Sequence, residues 1–253
     1  MSTPASDVLL RCEDLSRRFG GLTAVSRLTL ELRRGEVHAV IGTNGAGKST
    51  LINMLSGEIP SSEGRVWLGA QDITAWSQPR RARAGVGRSY QRTTIFPEFS
   101  VLENCRLCAQ AAHARPLALW QAAEHCAVSG EIARQALHAA GLADAAQRPA
   151  GSLSHGGKRQ LEIAMCLSTR PKVLLLDEPL AGMGAEETDR MLQVLQGLKA
   201  GHAILLVEHD MDAVFRIAER ITVMVNGEML ASDTPQAIRA HPEVQSAYLG
   251  TDE

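Results

Sequence analysis

The stretch GTNGAGKST, Gly42 to Thr50, admits few folds. Glycine, four residues, glycine, lysine and serine stand between Val37–Ile41, a nearly continuous apolar run that reads as a buried strand, and KSTLINMLSG, which reads as a helix closed by Gly57. A strand, a tight loop and a helix in that order turn backbone N–H groups toward one point, and the positive end of the helix adds to them. Such a nest suits a phosphate chain. The loop Gly42, Asn44, Gly45, Ala46 and Gly47 would cradle it, Lys48 would neutralise the β and γ oxygens, and Ser49, followed by Thr50, would offer a hydroxyl to Mg²⁺. An ordinary glycine turn before a lysine is the alternative, and the strand and helix on either side weigh against it.

A second cluster supports the first. VLLLDEP places Asp177 and Glu178 at the end of another apolar strand, the edge where open α/β sheets hold ligands. Asp177 would meet the shell of the metal ion, and Glu178 would take a proton from a water attacking the γ-phosphate. Alone, the pair also reads as acids at a helix N-terminus, with Pro179 in the first turn.

Strand and helix alternate through much of the chain. Leu28, Leu30 and Leu32 have the period of a half-buried strand, and VLLL at 173–176 and AILLV at 203–207 are buried ones. Met191, Val194, Leu195 and Leu198 share a helix face, as do Met211, Val214, Phe215 and Ala218. ITVMV, Asn226-Gly227 and EMLA read as a hairpin, and alternation of this kind implies a parallel sheet. From about Pro97 to Pro149 the composition turns to Ala, Leu, Gln, His and Arg, which predicts an inserted helical lobe. The tail from Thr234 reads as a surface helix with a frayed end.

Composition removes other classes. At 253 residues and 45% hydrophobic, the chain can bury one large α/β domain or two smaller lobes. A formal net charge of −2 gives no basic field for nucleic acid. Five scattered cysteines are no secreted disulfide framework, and the CxxC of Cys105 and Cys108 lacks a second pair for a metal tetrad, so a reducing cytosol and plain cysteines are expected. No signal segment opens the chain and no apolar run reaches roughly 18 residues, so a soluble, unexported protein is expected. The basic run Ser77–Arg88 is predicted to be a solvated face, and His113, His125 and His138 to be solvent-facing.

LSHGGKRQLEIA, Leu153 to Ala164, narrows the reading. Together with the two clusters it resembles the ATP-binding-cassette family, whose signature is LSGGQ, here matched at Ser154 and Gly156. By itself, Ser154 also reads as a simple helix cap. The resemblance runs from about Val8 to Gly250 and implies a P-loop NTPase with a RecA-like α/β core, an N-terminal antiparallel β subdomain and an inserted helical subdomain. A single domain, 8–250, is expected, with 8–92 and 165–250 as the core and 97–164 as the inserted lobe carrying the signature. The family's matching positions imply that Phe19 stacks on adenine, that Gln91 senses Mg²⁺ and the attacking water, that His209 contacts the γ-phosphate, and that Ser154 and Gly156 grip the γ-phosphate bound to a facing subunit. A core phenylalanine remains the other reading of Phe19, and an ordinary polar residue that of His209.

GLTAV, RSYQRTTIFPEFSVLEN, DEPLAGMGAEET, VEHDM and the closing TPQAIRAHPEVQSAYLG look like the ATPase subunits of branched-chain amino acid importers. That implies ATP hydrolysis with Mg²⁺ at the cytoplasmic face of the inner membrane, by a peripheral subunit. The implied partners are permease subunits, a second ATPase subunit that is either a copy or a sister, and, indirectly, a solute-binding protein. A urea or amide importer of the same subgroup is an alternative. A small-molecule P-loop kinase has no use for LSHGG, and non-transport cassette proteins carry two cassettes or a long coiled coil. Ile95, Phe96, Pro97 and Phe99 are expected to form part of the groove for a permease coupling helix. Gly184 stands at the usual D-loop aspartate, Gly157 at the signature glutamine and Thr43 at a loop proline, yet every catalytic group is retained, so a competent site is expected.

Overall fold

The computed structural model describes residues 7–90, 94–113 and 122–246. β1 (Val8–Phe19) and β2 (Leu22–Arg33) pair antiparallel, with Leu10 opposite Leu32 and Leu15 opposite Leu28. β3 (Val37–Gly42) departs to a second sheet, while β4 (Glu63–Leu68) and β5 (Gln71–Asp72) complete the first in the order β2-β1-β4-β5. The alternation at Leu28–Leu32 marks only the inner part of β2. β1 escapes a periodic reading because its register shifts between Cys12 and Leu15 and again before Arg17, and each shift changes which side chains point inward.

The second sheet adds β6 (Val86–Arg88), β7 (Val173–Asp177), β8 (Ala203–Val207), β9 (Arg220–Val225) and β10 (Glu228–Asp233) in the order β10-β9-β3-β8-β7-β6. All its pairs are parallel except β9–β10, which form the expected hairpin on Asn226-Gly227. VLLL is apolar throughout because both faces of the sheet are covered. Val173 and Leu175 pack with β1, β2 and α1 (Lys48–Ser56), whereas Leu174 and Leu176 pack with Ile163, Met191, Leu195 and Ile217 on the other side.

α2 (Gln78–Ala84) precedes β6, and α3 (Val101–His113), α4 (Ala122–Ala139) and α5 (His155–Leu167) lie between β6 and β7 in the chain. These last three share a core of Val101, Cys105, Ala133, Leu137, Leu161 and Ala164. α6 (Ala185–Leu198) and α7 (Met211–Ile217) follow β7 and β8. Among the described residues no helix is long and apolar enough to cross a membrane.

Two expectations are corrected. Within the basic run, Arg81 is 2% exposed rather than solvated. Its guanidinium donates to the carbonyls of Met54 at 2.8 Å, Leu55 at 2.9 Å, Thr74 at 2.8 Å and Trp76 at 3.2 Å. Met54 and Leu55 end α1, where carbonyls lack their i+4 helical partners, and the guanidinium fork supplies donors to both, beside the Gly57 N–H that also reaches Met54. Burial pushes the Arg81 pKa down to about 10. The Arg88 side chain is 8% exposed, paired with Glu58 and reaching Asp177. The described part of the tail holds two short helices, α8 (Pro235–Ala240) and α9 (Pro242–Val244), anchored by fully buried Ile238 and Val244 against Ile41 and Val223, and the expected frayed end lies outside the described residues.

Candidate nucleotide-binding site

The parallel register brings the carboxyl ends of β3, β7, β8 and β9 to one edge, with Gly42 beside Met224 and Asp177 beside Val207. At that edge the chain must turn sharply into α1. Gly47 caps the helix at φ 97°, and a Cβ there would stand 2.3 Å from the Ala24 carbonyl, so only glycine lets the loop press against β2. Lys48 is buried, and its Nζ donates to the carbonyls of Gly42 at 2.6 Å and Thr43 at 3.0 Å. The ammonium is thereby held across the mouth of the loop.

A cavity of about 570 Å³ opens here, lined by Phe19, Leu22, Thr23, Ala24, the loop from Asn44 to Thr50, Glu178 and Asn226. Phe19 is 45% exposed with the Arg17 guanidinium 4.6 Å from its ring centroid, which sets aside the reading of a core phenylalanine. Its open face beside exposed Leu22 suits a planar base. Asn226 was legible as a hairpin turn but not as a wall of this cavity. Gly227 N–H donates to the Ala46 carbonyl at 3.1 Å and Ser26 N–H to that of Gly227 at 2.8 Å, so the turn ties the phosphate loop to β2.

Asp177 is buried, its Oδ1 has no hydrogen-bond partner, and its Oδ2 lies 3.6 Å from Arg88 Nη2. Burial raises the Asp177 pKa; Arg88 and Lys48 work against that rise and Glu178 adds to it. Lys48 is the mirror case, lowered by burial and supported by Glu178 and Asp177. The orphaned Asp177 carboxylate oxygen and the cavity-lining Ser49 hydroxyl are hard-oxygen donors of the kind that suits Mg²⁺. Glu178 takes a left-handed φ of 49°, while its N–H donates to the Val207 carbonyl at 2.9 Å. A non-glycine residue held there costs about 1 kcal/mol or more, and the turn delivers its side chain to the same cavity as Lys48.

The other expected residues are elsewhere. Ser154 and Gly156 do not line the cavity; Ser154 caps α5, with Oγ accepting from Gly157 N–H at 3.1 Å. The His209 side chain is 61% exposed and also outside the cavity lining. Gln91 lies outside the described residues. Gly184 caps α6 without a side-chain hydrogen bond. Glu208, fully buried between AILLV and His209, was missed, although a carboxylate closing an apolar strand is a signal for it.

A lysine-bearing glycine loop facing an acidic pair at the carboxyl edge of a parallel sheet defines a nucleoside triphosphatase. Residues 25–181 match the ABC transporter family, and residues 228–253 match the branched-chain amino acid ATP-binding cassette transporter family. The chain belongs to the ABC transporter family as an ATP-hydrolysing cassette. It is 38% identical to the high-affinity branched-chain amino acid transport ATP-binding protein BraF of Pseudomonas aeruginosa, covering 96% of this chain and 98% of BraF. Its identity to LivG of Escherichia coli K12, of the same description, is 39%, covering 97% and 99%. Among solved structures it is similar to the ADP conformation of the cassette MJ1267, with TM-score 0.84, 30% identity, and 96% and 99% coverage. A nucleotide-free cassette from an ABC transporter gives TM-score 0.83, 29% identity, and 95% and 98% coverage.

Proposed function

We propose that this chain energises uptake of branched-chain amino acids through separate permease subunits, as a peripheral subunit on the cytoplasmic face of the inner membrane. The names of BraF and LivG and the match over residues 228–253 support that solute class. A solute-binding protein would deliver the amino acid to the permease from the other side. Residues 8–250 act as a single cassette, with 97–164 as its inserted lobe.

In this reading ATP lies with adenine against Phe19 and its phosphates in the loop Asn44–Gly47. Lys48 neutralises the β and γ oxygens, and Thr50 and the α1 N-terminus close the cradle. Ser49, Asp177 and Gln91 would hold Mg²⁺, which would supply charge neutralisation to the phosphates. Glu178 accepts the proton of the attacking water, and His209 and Gln91 approach the γ-phosphate when the site closes.

The observation that carries the mechanism is the separation of two halves of one site. Lys48 and Glu178 face a common cavity, while Ser154 and Gly156 stand outside it on α5. This separation supports a cap over the γ-phosphate that comes from a second cassette, a copy or a sister. Closure on ATP and opening after hydrolysis drive the permease by rigid-body motion.

Reconstitution of the chain with its permease in lipid tests the solute: leucine, isoleucine or valine with the binding protein raises ATP turnover, and stimulation by urea alone overturns it. Glu178→Gln tests the base, with nucleotide binding kept and turnover falling about 100-fold or more. Hydrolysis within about tenfold of the parent removes Glu178 from that role.

A further inference from the structure

The donors of the α5 N-terminus are already engaged by a carboxylate. Ser154 Oγ donates to Glu187 Oε1 at 2.8 Å, and Gly156 N–H points to the same oxygen at 3.3 Å. A Cβ on Gly156 would stand 2.7 Å from Glu187 Cδ, so the bare glycine is what lets the carboxylate lie against the helix. Glu187 comes from the first turn of α6, at the third position after its cap Gly184. A glutamate there commonly folds back onto its own helix's cap. Here Gly184 has no side chain to share in such a box, and the carboxylate crosses to α5 instead.

We infer that Glu187 occupies, in the separate cassette, the place that the γ-phosphate of the facing cassette's ATP takes on closure, and so sets how much ATP closure requires. The inference rests on the proposed sandwich. One oxygen of a carboxylate and one of a phosphate take the same hydroxyl and amide donors, and two anions do not share them. A γ-phosphate brings more charge and three acceptor oxygens, so it displaces Glu187. ADP ends at the β-phosphate, and the carboxylate returns to Ser154 once the γ-phosphate is gone. Glu187 thus discriminates between the two nucleotides at the capping half of the site, without touching the nucleotide in its own chain.

The test is ATP-dependent association of the Glu178→Gln protein, with its sister ATPase where the pair is a heterodimer, followed by analytical ultracentrifugation. Adding Glu187→Gln, which keeps an acceptor but removes the charge, or Glu187→Ala should lower the half-saturating ATP concentration about three- to tenfold. In the hydrolytically competent protein the same variants should lower KM for ATP without raising kcat. An unchanged or increased ATP requirement overturns the inference and makes Glu187 a brace for Ser154. Ser154→Ala separates the two ideas. If it weakens association while the Glu187 variants fail to tighten it, the inference alone falls. If Ser154→Ala has no effect, or the parent does not associate with ATP, the sandwich falls and the inference with it.

Discussion

The Leu180 N–H donates to Glu208 Oε1 at 2.8 Å, joining the turn after β7 to the end of β8. The other oxygen, Oε2, accepts from His209 N–H at 3.2 Å, and the carboxyl is fully buried. Burial raises the Glu208 pKa, and the two backbone N–H groups hold it back. One carboxyl thus fixes both the segment that carries Glu178 and the backbone of His209.

Glu208→Ala leaves the buried Leu180 N–H and the part-buried His209 N–H without an acceptor and frees the two segments from each other. Turnover is expected to fall on the order of 10- to 100-fold, since displacements near 1 Å at a reacting centre cost that much. KM for ATP should move less than about twofold, because the phosphate loop is untouched. Steady-state kinetics on Glu208→Ala and Glu208→Gln check this, with the amide variant, which keeps one acceptor, falling between alanine and the parent. Equal losses in ATP binding and turnover would assign Glu208 to general stability instead.

Asp177 carries a raised pKa, chiefly from burial, with Oδ1 unpartnered. A carboxyl that ionises less readily when folded imposes no penalty below its unfolded pKa, near the ordinary aspartate value of 3.8, and a growing one as pH climbs toward the folded value. Asp177→Asn removes that penalty. The nucleotide-free variant is expected to melt about 2–4 °C above the parent at pH 7, equivalent to about 1 kcal/mol. The gain should shrink toward pH 4, while Mg²⁺-dependent ATP affinity is lost. Thermal melts across pH with and without Mg-ATP measure both, and a gain independent of pH would contradict the burial argument.

Local patterns were readable wherever one physical demand dominates. The runs at 173–176 and 203–207 are apolar because two layers cover them, and GTNGAGKST is legible because a phosphate nest needs glycine and lysine at fixed spacing. β1 was hidden by its register shifts, and Arg81 by a charge that normally means solvent. Asn226 and Glu187 act on elements distant in the chain, so no spacing rule reaches them, and Glu208 shows in the sequence only as a carboxylate closing an apolar strand, not as the acceptor for Leu180 N–H. Ser154 was legible as both cap and anion site because the same hydroxyl accepts from Gly157 N–H and offers its own proton outward.

Arg81 provides a stability test away from the nucleotide. Arg81→Met retains bulk but strips the donors from the carbonyls of Met54, Leu55, Thr74 and Trp76. Leaving these unsatisfied should cost about 2–4 kcal/mol, a fall of about 5–10 °C in Tm. Arg81→Lys supplies a point donor rather than a fork and should recover only part of it. Because α1 carries the phosphate loop at its other end, ATP should raise Tm by a similar increment in all three proteins. A loss below about 1 kcal/mol in Arg81→Met would show that water replaces the guanidinium.

Phe96 and Phe99 stack at 5.5 Å between centroids yet remain 52% and 45% exposed. The loop that presents them is rigidly held: buried Asn104 accepts from Phe96 N–H at 2.7 Å and donates to the Phe96 carbonyl at 3.0 Å and that of Ser100 at 2.9 Å. An exposed aromatic pair on a braced loop at the start of α3 is suited to receive an apolar helix, here the proposed coupling helix of the permease. Phe96→Ser with Phe99→Ser removes that surface without touching Asn104 or the cavity. Basal ATPase of the free cassette should stay within about twofold, while solute-stimulated ATPase and uptake in the reconstituted complex fall about tenfold or more. Asn104→Ala, which loosens the same loop, should lower both coupling and Tm. Uptake at the parent's rate in the double variant would place the permease contact on another part of the cassette.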